Sequence, residues 1–278
     1  MMTTYHKILV DGLHIFYREA GDENSPVMLL LHGFPSASHM FRDLIPLLED
    51  KYHVIAPDFV GFGQSDAPAD FNYTFAHLTA VTADLLTELK ITSYYMYVFD
   101  YGAPIGFRLA MANPHAILGI VSQNGNVYAQ GLGPKWAERA KYWANPTPEL
   151  RRRYESAFAP ETIRGQYLNG TRRGSVSPDG YTLDIAYTHT EGYAKRQSDL
   201  IFDYQTNVAL YPQFQKYLRQ HHPKLLAVWG ENDPSFIPAG ALAFKNDLPD
   251  AHIELLDTGH FALETHAKEI AALISKMF

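Results

Sequence analysis

The chain opens with two runs of alternating apolar and polar residues, "YHKILV" and "LHIFYREAG", on either side of Asp11-Gly12. Asp-Gly between alternating runs predicts a β-hairpin with a two-residue turn. The texture then changes. "VMLLLHG" is apolar without interruption up to Gly33, as a strand covered on both faces is. A helix is expected over about 38–49, then a strand at "HVIAP" and a glycine-rich loop at "DFVGFGQSDAP". "FAHLTAVTADLLTELK" carries the helical period. "YYMYVF" reads as a strand, "GAPIGFRLAMAN" as a helix stopped by Asn113-Pro114, and "AILGIVSQN" as another strand.

Strand–helix alternation over 1–124 predicts an α/β fold, a mostly parallel sheet flanked by helices. The alternation returns over 223–278 with "KLLAVWG", a helix near 238–247, "HIELLD" and a helix from about 262 to 277. Between them, 125–222 has no clear strand run. It has three helix starts with proline just inside the first turn, at Pro148, Pro160 and Pro178. The expected organisation is therefore a core of 1–124 and 223–278 with a helical cap, 125–222, inserted between sheet strands. Ligands in open α/β sheets bind beyond the carboxyl ends of the strands, where such an insertion emerges.

Composition narrows the chemistry. The chain has 278 residues, 46% of them apolar, and no cysteine. Disulfides, thiolate catalysis and cysteine-ligated zinc are excluded. A net charge of −7 without a long basic run argues against nucleic acid as a partner. No charged leader or 18-residue apolar stretch stands out, so a cytoplasmic protein without membrane contact is expected. The histidines are scattered, and no metal or other cofactor is implied.

Asp100 breaks the apolar run "YVFDYGAPIG" where a strand gives way to a helix. This is the setting of a nucleophile elbow, yet the chain contains no G-x-S-x-G. An acid there can also simply cap the following helix. Two other residues bear on the choice. Asp233 in "VWGENDP" and His260 in "DTGHFALE" each follow a strand. The order acid, Asp, His at three strand ends is the order of an α/β nucleophile–acid–base set. Glu231 and Asp257 lie too close to their strands, and Asn124 and Asn126 after the strand before the insertion are not ionisable. "LLLHGFP" can aim a backbone N–H at a developing oxyanion. Phe34 is assigned that N–H, and Tyr101, after the nucleophile, the second.

With these motifs, "HGFP", "DFVGFGQSD", "FDYGAPIGF", "WGENDP" and "GHFALE", the chain resembles the epoxide hydrolase and haloalkane dehalogenase branch of the α/β-hydrolase family along essentially its whole length. The resemblance implies the α/β-hydrolase fold, Asp100 as nucleophile, His260 as water-activating base, Asp233 as its partner, and a cis Phe34-Pro35 peptide. It implies a hydrolase that forms an alkyl-enzyme ester without a cofactor. Epoxides are the expected substrates, neutral and apolar or aromatic, with carbon–halogen hydrolysis as the alternative. An esterase or a small-ligand binding protein ranks lower. Phe34 and Tyr101 stand where dehalogenases often carry Asn and Trp. Tyr204, Tyr142 and Tyr167 are the candidate leaving-group donors, Tyr204 matching the late-cap position and Arg139 standing at the early one. Trp136, Trp143, Phe202, Tyr211 and Phe261 are expected to line the substrate pocket. The partner expected is a small-molecule substrate, with a monomer or a homodimer both open.

Overall fold

A computed structural model describes residues 2–155 and 158–278. Eight strands form one sheet: β1 (Thr4–Val10), β2 (Leu13–Ala20), β3 (Val27–Leu31), β4 (His53–Pro57), β5 (Tyr94–Phe99), β6 (Ile117–Gln123), β7 (Leu225–Gly230) and β8 (His252–Leu256). Their spatial order is β1-β2-β4-β3-β5-β6-β7-β8. β2 runs antiparallel to both β1 and β4, and every pairing from β4 to β8 is parallel. The opening hairpin turns at Asp11 and Gly12 with φ of 46° and 78°, the doubly left-handed turn whose twist suits a tight hairpin.

The central strands are apolar on both faces because both are covered. Leu29, Leu31, Met96, Val98 and Ile120 point into one buried cluster, whereas Met28, Leu30, Tyr97, Phe99 and Val121 point into another. Alternate residues of each strand serve opposite layers. Fully burying a side chain of this kind contributes about 1.5–3 kcal/mol. The sheet is thus rigid at its centre, where β5 ends in Asp100.

Ten α-helices occur among the described residues. In the core these are α1 (Ile45–Leu48), α2 (Phe75–Glu88), α3 (Gly102–Ala112), α9 (Ala239–Asp247) and α10 (Leu263–Met277). The helix expected over 38–49 is two short pieces, a 3-10 turn over Ser38–Phe41 and then α1. Pro46 sits in the first turn of α1 and cannot donate within a continuous helix.

Between β6 and β7 stand α4 (Lys135–Ala144), α5 (Pro148–Glu155), α6 (Pro160–Leu168), α7 (Pro178–Tyr187) and α8 (Tyr193–His221). Three of them begin on the prolines noted in the sequence, because proline's fixed φ and missing N–H cost nothing at a first helical position. Ser177 caps α7 by accepting from the Asp179 N–H. α8 spans 29 residues with Pro212 in its interior. Its buried positions include Leu200, Ile201, Tyr204, Tyr211, Phe214 and Leu218, which fasten it to the sheet layer. A second anchor is polar. His39 Nε2 meets Asp184 Oδ1 at 2.5 Å and Ser36 Oγ at 3.1 Å, and Tyr167 donates to Asp184 Oδ2 at 2.5 Å. All four side chains are buried, so this network ties α6 and α7 to the loop after β3. Among the described residues, no helix is long and apolar enough to cross a membrane.

Candidate active site

Asp100 occupies a sharp turn between β5 and α3 with φ of 47°, a conformation that is uncommon for a residue with a side chain. Two glycines make the turn possible. A Cβ on Gly102 would lie 2.2 Å from the Leu31 carbonyl oxygen, and one on Gly33 would lie 2.4 Å from the Asp100 Cβ. Only hydrogen fits at either place. The Asp100 carboxylate then faces the loop after β3, and Phe34 N–H donates to its Oδ1 at 2.7 Å. The Phe34-Pro35 peptide is cis. The Tyr101 N–H, at the start of α3, makes no hydrogen bond among the described residues.

His260 lies between two carboxylates. Its Nε2 is 3.6 Å from Asp100 Oδ2 and its Nδ1 is 2.6 Å from Asp233 Oδ2. Burial alone would lower the basicity of this ring, yet Asp233 and Asp100 raise it to about 10. Both carboxylates thus favour the protonated form of the ring. Phe99 and Phe261 pack on the ring, with centroids 4.7 and 5.4 Å away.

Asp233 is fixed by two further donors. The Ser235 N–H donates to Oδ1 at 2.7 Å and Asn124 Nδ2 donates to Oδ2 at 2.8 Å. Asn124 is also left-handed, with φ of 45°, and its Oδ1 accepts from Gly230 N–H at 3.0 Å. The sequence reading set Asn124 aside because it cannot ionise. It stands at the end of β6 and instead holds the acid carried at the end of β7. The only trace of it in the sequence is "QNGN", since Asn tolerates the left-handed region. His32 has its ring in the neutral form, lowered to about 3 by burial. Its Nε2 accepts from Phe59 N–H at 3.0 Å and its Nδ1 meets Gly33 O at 3.2 Å. It braces the loop bearing Phe34.

A cavity of about 590 Å³ opens over this array, and Asp100, His260, Asp233, Phe34 and Tyr101 all line it. Ile201 adds an apolar wall from α8, whereas Lys135, Glu138, Arg139, Arg153 and Glu161 supply a charged rim. The aromatic lining expected from the sequence is corrected here. Trp136, Trp143, Phe202, Tyr211 and Phe261 are absent from the cavity wall. They pack behind it: Trp136 stacks on Phe236, Phe202 edges against Tyr142, and Phe261 stacks on Tyr167 at 3.8 Å.

The three tyrosines proposed as donors are likewise not on the wall. The Tyr167 hydroxyl donates a hydrogen bond to Asp184. Tyr142 sits among Arg151, Asp199 and Glu155 rather than near Asp100. Tyr204 is buried in an aromatic box of Trp136, Phe75 and Tyr101, with its hydroxyl 3.4 Å from that of Tyr211. Burial, Tyr211 and the Asp100 charge hold the Tyr204 phenol well above its ordinary range.

A mostly parallel sheet with an acid elbow after β5, a second acid after β7 and a histidine after β8 has the form of a hydrolase. The alpha/beta hydrolase fold profile matches residues 26–267, and the chain belongs to that family. It is 44% identical over 284 residues to the uncharacterized hydrolase YNR064C of Saccharomyces cerevisiae, covering 100% of this chain and 98% of the relative. It is 34% identical over 290 residues to a haloalkane dehalogenase of Psychrobacter cryohalolentis, covering 97% and 90%. A shorter match, 34% over 121 residues, covers 43% of this chain and 34% of epoxide hydrolase 4 of Mus musculus. The protein is a hydrolase related to haloalkane dehalogenases and epoxide hydrolases.

Proposed function

We propose that this protein hydrolyses epoxides of small organic molecules through a covalent ester on Asp100, with α4–α8 as a cap over the site. The observation that carries this reading is the strained Asp100 carboxylate at the elbow, held by Phe34 N–H at 2.7 Å and faced by His260 at 3.6 Å. A serine hydrolase needs a hydroxyl at that position, whereas a carboxylate can displace a leaving group from saturated carbon. One carboxylate oxygen attacks the ring carbon, the ring C–O bond breaks, and its electron pair goes to the oxygen, which takes up a proton. A water then loses a proton to His260, and its oxygen adds to Cγ of Asp100. Phe34 N–H, with Tyr101 N–H, stabilises the oxyanion. Collapse frees the diol and restores the carboxylate.

The electrostatics suit this order of events. Asp100 and Asp233 keep His260 protonated at rest. Esterification removes the Asp100 charge, so the ring releases its resting proton toward the oxygen of the opened epoxide and becomes a competent base only once the ester exists. Halide as leaving group is less well served. Indole N–H groups are the usual halide donors, and all three tryptophans donate to backbone carbonyls: Trp136 to Ser235, Trp143 to Ile201 and Trp229 to Phe236. The apolar wall beside Asp100 and the charged rim favour a substrate with an apolar reacting end.

His260→Gln, soaked with mixed epoxides and haloalkanes, tests the reading. Intact mass is expected to rise by one epoxide, with the adduct mapped to Asp100. No adduct and no turnover across the panel would refute it.

A further inference from the structure

Resting on that reading, we infer that the leaving-group donor is the Tyr101 phenol, assisted by the Arg139 guanidinium, rather than Tyr204, Tyr142 or Tyr167. Tyr101 and Arg139 line the same cavity wall as Asp100. Tyr204, Tyr142 and Tyr167 do not, and two of their hydroxyls are engaged elsewhere, Tyr167 with Asp184 and Tyr204 with Tyr211; Tyr154 of α5 also lines the cavity, with its ring 5.0 Å from that of Tyr142. The Tyr101 hydroxyl has no hydrogen-bond partner among the described residues, and it is not one of the orphaned hydroxyls sealed from solvent, as those of Tyr193 and Tyr217 are. An O–H left open next to a nucleophile is a donor without a resting acceptor. Its ring is held from several sides, edge-on to Phe75 at 5.0 Å and tilted to Phe34 at 5.8 Å and Tyr204 at 5.9 Å. The donor is therefore positioned before substrate arrives.

Arg139 supplies the second part. Its guanidinium lies 4.1 Å over the Trp136 ring, half-buried, and forms no ion pair with a carboxylate among the described residues. The ring holds the cation by its face and leaves the N–H edge free. Burial and then the Asp100 charge hold the Tyr101 phenol well above its ordinary range, and Arg139 acts in the opposite sense, favouring its ionisation.

The step balances. As the Asp100 oxygen bonds to carbon, the ring C–O pair moves onto oxygen, and that oxygen takes the Tyr101 proton. The transfer runs toward the alkoxide because an aliphatic alcohol is a weaker acid than a phenol, and Arg139 offsets part of the rise that burial and Asp100 impose on Tyr101. The tyrosinate left behind is favoured by the Arg139 charge, and it regains its proton from the resting His260 imidazolium, directly or through solvent, which frees the ring to deprotonate water and return to its resting form. Substrate and water together become the diol, with no proton gained or lost overall.

The test measures the rate of adduct growth in the His260→Gln background, by intact mass, with styrene oxide and with benzyl bromide. Bromide leaves without needing a proton. Adding Tyr101→Phe keeps the backbone N–H and removes only the donor. It is expected to slow the epoxide adduct at least about 100-fold and the bromide adduct less than threefold, while adding Tyr204→Phe slows neither by more than threefold. Arg139→Gln, farther from the packed core, is expected to slow the epoxide adduct at least tenfold. If the parent forms no epoxide adduct, the ester reading falls and this inference with it. If the parent reacts and the Tyr101→Phe rate stays within threefold, if Tyr204→Phe slows it as much, or if both substrates slow equally, the Tyr101 assignment alone is overturned. Should Tyr101→Phe fail to fold, an unchanged epoxide rate in Arg139→Gln overturns it.

Discussion

Asp100→Asn imitates the charge lost on esterification without changing the shape of the elbow, and it should release His260 from its imidazolium state. In the parent, two carboxylates outweigh burial and raise His260 to about 10. The Asp100 oxygen lies 3.6 Å from Nε2. With an effective dielectric of about 20, a charge pair at that distance is worth about 4–5 kcal/mol. At about 1.4 kcal/mol per tenfold change, this amounts to about three pH units of basicity. His260 in Asp100→Asn is therefore expected to titrate near about 7, still supported by Asp233 at 2.6 Å. NMR titration of ring-labelled histidine, read against His260→Gln for assignment, measures both values. Because the folded ring is more basic than the ordinary 6.5, its contribution to stability is complete below about 6.5 and is lost as pH rises towards 10. Urea unfolding should show the parent weakening between about pH 7 and 10, with that slope largely absent in the variant. A parent His260 that titrates below about 8, or a difference under one pH unit between the two proteins, would refute the account of how the base is switched.

Asn124→Ala should lower unfolding free energy by about 2–3 kcal/mol in urea melts, because it strands the buried Gly230 N–H and leaves Asp233 one donor short. It should also slow ester hydrolysis in single-turnover measurements. Gly102→Ala pushes a methyl to within 2.2 Å of the Leu31 carbonyl oxygen and is expected to cost about 3 kcal/mol or more and to displace Asp100. A melting temperature within a degree of the parent would contradict this. Tyr167→Phe should lose about 1–3 kcal/mol by leaving Asp184 Oδ2 without its donor, while the rate of adduct formation stays within twofold. A large rate loss would return Tyr167 to the site.

Much of the site is legible in the sequence because its parts are local. Asp100, Asp233 and His260 each sit where an apolar run stops, and Phe34 follows the His-Gly that ends β3. A parallel sheet places all such strand ends along one edge, so order along the chain becomes proximity in space. The prolines that open α5, α6 and α7 are local in the same sense. The pocket wall is not. Arg139 and Tyr142 lie three residues apart on α4, yet Arg139 lines the cavity whereas Tyr142 packs on Tyr154 and Phe202. Both carry amphipathic side chains, and no spacing rule says which faces the sheet.

What this sequence determined by itself was the sheet, the two covered faces and the three chemical groups at its edge, because backbone hydrogen bonding and side-chain period are properties of neighbouring residues. What only the tertiary structure decided was the state and surroundings of those groups. The positive charge on His260 comes from two carboxylates brought in from β5 and β7. Asn124 steadies Asp233 from a strand more than 100 residues away along the chain. Tyr101 meets the cavity, whereas Tyr142, Tyr167 and Tyr204 do not. Each depends on how α4–α8 rotate against the sheet, and that rotation is set by the summed packing of many residues far apart in the chain.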